Sequence, residues 1–570
     1  MDREGVIHRT SSSSPVGDKE KMHYSDMEAD APRIRGLETS AETSLHRGLQ
    51  ARHITMIAIG GAIGTGLIIG TGKALTQAGP GSIFISYSIL GMVVFLVMAA
   101  LGEMAAWLPM SAGFTAYASR FCDPSLGFAL GWTYWFKYII VTPNQLTAAS
   151  LVIQFWVPRD RVNPGVFIAI FLVAIICINY FGIRFFGEFE FWLSSFKVVV
   201  IVGVILLTLI IATGGVDGDP KGFRYWNDPG AFRPYLAEGA LGQFLGFWST
   251  MVTATFAYLG TELVGVTVGE AQNPRRTIPR AIRLTFYRIV FFYCISILLV
   301  GMCVPYNSED LINYQSGTTA STANASPFVA AIKAVHIPVL DHILNACILG
   351  FVFSAANSDL YIASRTLYGL SSDGAAPSIF RKTNDSGVPL YSLGVSALFG
   401  LLAFMNVSDD SKKVFSYFVN LTTIFGLMTW ISILVTHIYF VRARKAQGLP
   451  NEAMPYVAPL GAWGSYAALF MCCLIALTKN FDVFIGDWSE KYPNFITGYL
   501  GIPVYLLLIF GHKLRTKSKG VRAHECDFYT GKDIIDREEE EFLAAKAAKR
   551  ASDPQKASAV FYKRFVSWLF

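Results

Sequence analysis

The stretch IAIGGAIGTGLIIGTG, Ile57 to Gly72, decides how the chain is read. It lies in an apolar run long enough to cross a bilayer, for which about 20 residues suffice. Yet it carries six glycines and two threonines, and glycine holds a helix together poorly. A spanning helix made breakable in its middle needs a use for the backbone that the break sets free.

The rest of the chain supplies the frame. Of 570 residues, 53% are hydrophobic and only 15% charged, with a mean hydropathy of +0.42. The apolar residues come in blocks, many of spanning length, so the expected fold is an all-α polytopic membrane protein. The net charge of +6 gives no argument for nucleic acid. The eight cysteines follow neither paired nor metal-ligand spacing, and runs such as MCCLIAL (Met471–Leu477) make them read as small apolar residues. Residues 1–50 are polar, with no cleavable signal peptide, and read as a disordered tail.

Twelve spans are expected, at about 54–76, 82–102, 126–157, 164–183, 190–213, 241–268, 284–304, 326–366, 391–407, 413–441, 463–479 and 493–513. The eighth stretch is too long for one helix, so part of it should lie outside or be irregular. Arginines and lysines crowd the connections after spans six (Arg275, Arg276, Arg280, Arg283), ten (Arg442, Arg444, Lys445) and twelve (Lys513, Arg515, Lys517). The loop after span seven has none. The positive-inside rule then places both termini in the cytosol.

Span one is interrupted by GGAIGTG (Gly60–Gly66) and span six by AYLGTELVG (Ala257–Gly265). They lie five spans apart, an odd number, so the second copy runs the opposite way. Matched interruptions in two inverted halves point to a transporter site near the bilayer midplane. Freed amides at a half-helix start suit a carboxylate, and freed carbonyls suit an ammonium group or a cation. The competing reading, glycines that serve close helix packing, explains one such span more easily than a matched pair.

Several blocks carry a resemblance: ALGEMAAWLPMSAGFTAYASRF, GFALGWTYWFKY, FFGEFEFWLSSFKV, GTELVGVTVGEAQNPRRTIPRAI and MPYVAPLGAWGSY, in this order. From about Leu49 to Leu514 the chain resembles the fungal amino-acid permeases of the amino acid–polyamine–organocation superfamily. RHITMIAIGGAIGTGLIIGTG, PNQLTAASLVIQFW and GFRYWNDPGAF look closest to the dicarboxylic (glutamate/aspartate) branch. The resemblance implies a LeuT-type 5+5 inverted repeat in a ten-helix core (51–441, repeats about 51–213 and 241–441). Two peripheral helices (463–514) and a cytosolic tail (515–570) follow. It implies proton-coupled uptake across the plasma membrane, with an amino acid, protons and lipid as partners and no cofactor. The substrate carboxylate would meet Gly61, Gly64, Thr65 and Gly66. The substrate ammonium would meet carbonyls near Ala58, Phe256, Ala257 and Tyr258, with Phe256 as gate. Relatives that take basic and several neutral amino acids have a glutamate where Gln145 stands here; its absence fits acidic substrates. Proton-driven members have a lysine at the position of Lys197, which makes Lys197 the expected proton-coupling residue.

Other ionisable residues within spans are functional candidates by default. Lys137 reads as a stem snorkelling to an interface rather than as a partner for an acidic side chain. Glu262 either joins proton coupling or only pairs within the broken helix. Asp359 and Arg365 are expected near the cytosolic end of span eight, and Glu103, Glu188 and Glu190 at cytosolic span ends in structural roles. The tails offer trafficking and ubiquitin sites by resemblance, Lys19 and Lys21 among them; the C-terminal one could instead lie as an amphipathic helix on the membrane. No nucleophile–base set, metal-ligand cluster or phosphate loop argues for an enzyme. The alternatives are a neutral amino-acid or proline permease, and a non-transporting sensor of the same fold.

Overall fold

The computed structural model describes residues 64–552, apart from 111, 182, 267–273, 310, 313–325, 338, 385–386, 408–410 and 486–487. The N-terminal tail and most of the first interrupted stretch, including Ala58 and Gly61, lie outside the described residues. Among the described residues every regular element is a helix. A π turn, Gly66–Gly70, opens into α1 (Thr71–Ala78). There follow α2 (Pro80–Trp107), α3 (Phe114–Phe121), α4 (Pro124–Ile153), α5 (Pro164–Tyr180), α6 (Ile183–Ala212) and α7 (Gly239–Ser249). Next come α8 (Met251–Tyr258), α9 (Leu263–Val266), α10 (Pro274–Arg288), α11 (Ser296–Cys303), α12 (Pro327–Ala334) and α13 (Leu340–Ser372). The chain ends with α14 (Leu390–Phe399), α15 (Ser411–Ala446), α16 (Gly461–Thr478), α17 (Trp488–Tyr499), α18 (Gly501–Thr516) and α19 (Lys532–Ser552).

Local chemistry sets several helix starts. Asp123 and Asn163 each precede a proline, and each accepts a hydrogen bond at 2.8 Å from the amide two residues on, of Ser125 and Gly165. The side chain satisfies a donor the helix cannot, and proline fills the position that needs no N–H. At the start of α2, Gly79 takes φ +85°, open to glycine at little cost, and Pro80 follows.

Eight helices among the described residues are long and apolar enough to cross a bilayer: Pro80–Trp107, Phe186–Ala212, Thr277–Cys303, Leu340–Ser372, Leu390–Val407, Lys413–Ala446, Gly461–Phe484 and Lys491–Thr516. The long eighth stretch divides into the short α12 and the full-length α13, so the spanning part begins and ends later than the apolar run suggested. The helices are polar on the inside. In α6, Glu190, Ser194 and Lys197 are buried, while Trp192 and Val199 are each 70% exposed on the outer side. This inversion of the soluble pattern suits a lipid surround, where ionisable groups must face the bundle. All eight cysteines are free thiols; four are buried and Cys177 is exposed.

One face of the bundle is closed by the segment that follows α18. Phe528 is fully buried against the rings of Trp107, Phe121 and Phe440. Trp107 Nε1 donates to the Phe528 carbonyl at 3.1 Å. Arg120 donates to the carbonyls of Asp527 and Thr530 and pairs with the Asp527 carboxylate at 2.9 Å. Arg275 pairs with Asp536 and Glu539 of α19. The described part of the C-terminal region, residues 517–552, forms a clamp across the ends of α2, α3, α10 and α15. Nearby, fully buried Glu103 binds His437 Nε2 at 3.1 Å, the Ala458 amide at 2.8 Å and Arg444 at 3.0 Å, tying α2 to α15.

Candidate functional site

Four elements converge on a narrow cavity of about 30 Å³ in the middle of the bundle: the start of the π turn, α4, the end of α8 and α13. This volume holds about one water-sized group, so a larger ligand requires the walls to part. The second interruption forms one side. Helix α8 stops at Tyr258, Leu259 turns extended (φ −61°, ψ 141°), Gly260 takes φ +99°, and helix resumes at Leu263. Gly64, Thr65, Gly66, Phe256, Ala257 and Gly260 all line the cavity. The described end of the first glycine-rich segment and the break after Tyr258 therefore meet at one place.

The glycines of the first segment divide the work. A Cβ at Gly64 would meet nothing within 4 Å. A Cβ at Gly66 would lie 2.5 Å from the Cα of Ala257. Gly64 leaves space; Gly66 lets two backbones touch. Thr65 Oγ1 donates to Gln145 Oε1 at 3.0 Å, tying the first segment to α4. Tyr258 faces away from the cavity. Its hydroxyl donates to the Tyr87 carbonyl at 2.8 Å and its ring stacks on Tyr293 at 4.3 Å. The Ala257 carbonyl already accepts from the Tyr293 hydroxyl at 3.1 Å, leaving one lone pair for another donor.

Lys137 overturns its sequence reading. It does not snorkel to an interface. Its side chain is 2% exposed, lines the cavity and forms an ion pair with Glu262. Its ammonium also sits 4.6 Å from the centroid of the Tyr138 ring. Glu262 is fully buried and accepts from the Gly260 amide at 3.1 Å and from Trp430 Nε1 at 3.3 Å. Asp359 does not lie near a helix end as expected; it lines the same cavity as Gln145. Arg365, further along α13, lies over the Tyr361 ring and donates to the Gly387 carbonyl.

Lys197 stands behind this wall, fully buried and within electrostatic reach of Glu190 and Asp359. Glu190, in the first turns of its span, is also fully buried and accepts from Ser354 at 2.8 Å and Ser194 at 3.1 Å. Lys137, Asp359 and Glu190 are the site residues that sequence reasoning passed over. Their signal was the rarity of charge at spanning depth; what was missing was their common location.

A buried, charged cavity between a glycine-rich helix start and an interrupted helix in a multi-pass bundle is the architecture of a membrane transporter. The fold agrees: the chain superposes on a manganese transporter of Eremococcus coleocola with a TM-score of 0.51 at 13% identity, over 82% of this chain and 93% of that one. The amino acid permease family matches residues 53–524, and the chain belongs to that family. It is 53% identical to the dicarboxylic amino acid permease of Saccharomyces cerevisiae, over 93% of this chain and 87% of the relative. It is 39% identical to a proline-specific permease of Emericella nidulans (89% and 92%) and 39% identical to the general amino-acid permease of Saccharomyces cerevisiae (87% and 82%).

Proposed function

We propose that the protein is a proton-coupled symporter that brings glutamate and aspartate into the cell across the plasma membrane, with both termini in the cytosol. The observation that carries the acidic assignment is Lys137, a buried ammonium group in the cavity wall. The 53% identity to a dicarboxylic amino acid permease supports it. In this reading the chain crosses the bilayer twelve times in a LeuT-type arrangement, which the eight long apolar helices among the described residues, together with α4, α5 and the two glycine-rich segments, support.

In this reading the α-carboxylate binds the amides about Gly64 and Gly66 and the hydroxyl of Thr65, and the ammonium group binds the carbonyls of Phe256 and Ala257. The side-chain carboxylate then takes Lys137. Glu262 loses its counter-ion when it does so, and a buried carboxylate without a partner is costly enough to favour its neutral form. Entry of an acidic side chain thus draws a proton into the site. Lys197, with Glu190 and Asp359, holds the second titratable cluster and carries the coupling proton on the far side of α13.

A neutral substrate is the second reading, favoured by one fact: Lys137 is already balanced by Glu262. Purified protein in liposomes, loaded with an inward proton gradient and labelled glutamate, separates them. Uphill uptake that aspartate blocks and proline and lysine do not is expected. Stronger competition by proline than by aspartate overturns the acidic assignment.

A further inference from the structure

Phe256 is a wall shared by two cavities. Below it lies the central site; above it lies a wider space of about 340 Å³. The ring of Phe256 meets that of Phe415 edge-on, with centroids 6.5 Å apart, and closes the way between them. The upper space is lined by Lys73 of α1, Lys413 of α15 and Lys479 at the end of α16; among the described residues of its lining, Asp482 is the one carboxylate. Lys479 is 2% exposed and donates to the Asn420 carbonyl at 3.1 Å. Asp482 lines the same space as Lys73 and Lys479. Lys73 and Lys413 are exposed within the vestibule. A further cavity shares Lys73, Gln77 and Asp482 with this one and adds Arg233. Basic side chains therefore line the space on both sides of Phe256: Arg233, Lys73, Lys413 and Lys479 above it and Lys137 below.

Positive charge gathered in a cleft with low-dielectric walls concentrates counter-ions of the opposite sign and speeds their capture by roughly 10–10³-fold. We propose that the vestibule above Phe256 is a second substrate site, where the carboxylates of an acidic amino acid are held by Lys73, Lys413 and Lys479 before the gate opens. Selection for anions then begins at the entrance and is repeated at Lys137. The inference rests on the acidic substrate proposed above.

The test uses the full-length protein in nanodiscs and liposomes, with labelled glutamate as the probe. Equilibrium binding to the unmutated chain should saturate at two glutamates per chain, and the double variant Lys73→Gln, Lys413→Gln should saturate at one. In uptake, the double variant should raise KM for glutamate about 10-fold at low ionic strength, with the rate at saturating glutamate held. Its KM should no longer rise when salt is raised to shorten the Debye length. One glutamate per chain in the unmutated protein, or an unchanged KM and salt dependence in the double variant, overturns the vestibule site while leaving the acidic substrate in place. Failure of the unmutated protein to transport glutamate at all defeats the acidic reading itself.

Discussion

Replacing the Lys137–Glu262 pair by two neutral amides isolates what the lysine does for a substrate. Lys137→Gln alone would strand Glu262, which is fully buried, and breaking a buried pair from one side costs about 3–5 kcal/mol. Loss of folding would then mask any loss of recognition. In the double variant Lys137→Gln, Glu262→Gln the charge balance is kept. The amide carbonyl introduced at position 262 can still accept from the Gly260 amide and Trp430 Nε1, as Glu262 does. Its NH₂ group can bond to the new side chain at position 137. What disappears is a charge-assisted hydrogen bond to the substrate's side chain, worth about 1.5–3 kcal/mol. That corresponds to a factor of roughly 10–150 in affinity. The assay is competition by glutamate and by its neutral isostere glutamine for bound label in detergent, with thermal unfolding as a check on integrity. The ratio of the two inhibition constants should move by that factor toward glutamine. A stable double variant with an unchanged ratio refutes the role given to Lys137.

Gly66→Ala would push a Cβ to 2.5 Å from the Ala257 Cα, so it should lower the unfolding temperature measurably. Gly64→Val adds its atoms to open space and should leave that temperature near its starting value while abolishing binding. Lys197→Met should reach the membrane and bind glutamate but fail to concentrate it, measured as uptake with and without a pH gradient. Burial opposes the charge on Asp527, but the Thr530 amide and hydroxyl and the Arg120 guanidinium outweigh it and hold its carboxyl below the usual range. The folded value is depressed, so the clamp contributes fully above the ordinary carboxylate pKa of about 4. Protection of the segment after α18 from protease should be constant from neutral pH down to about pH 4, fall below it, and be lost at neutral pH in Arg120→Met.

The second interruption was legible because glycine has a local effect, and AYLGTELVG announces weak helix wherever it folds; most of GGAIGTG lies outside the described residues. The break at Leu259–Glu262 lies within the stretch so marked. Charge location was harder. Lys137 sits among aromatic residues whose sequence does not say which way the stem points, and its partner is 125 residues away. Asp359 was placed toward a helix end because the run 326–366, too long for one helix, does not itself say which part lies outside the span. Once α12 is removed from it, Asp359 falls into the middle of α13. Lys197 could be assigned only through resemblance; the structure adds the neighbours Glu190 and Asp359 that hydropathy could not supply.

The clamp also has an order in time. The aromatic socket formed by Trp107, Phe121 and Phe440 is filled by Phe528, which is translated after the last spanning helix. A chain still on the ribosome has inserted every span yet carries an open apolar socket and an uncompensated Arg120 on one face. Completion of that face therefore follows synthesis of the last spanning helix, and a chain that ended before residue 528 would leave aromatic surface exposed of the kind that makes intermediates aggregation-prone.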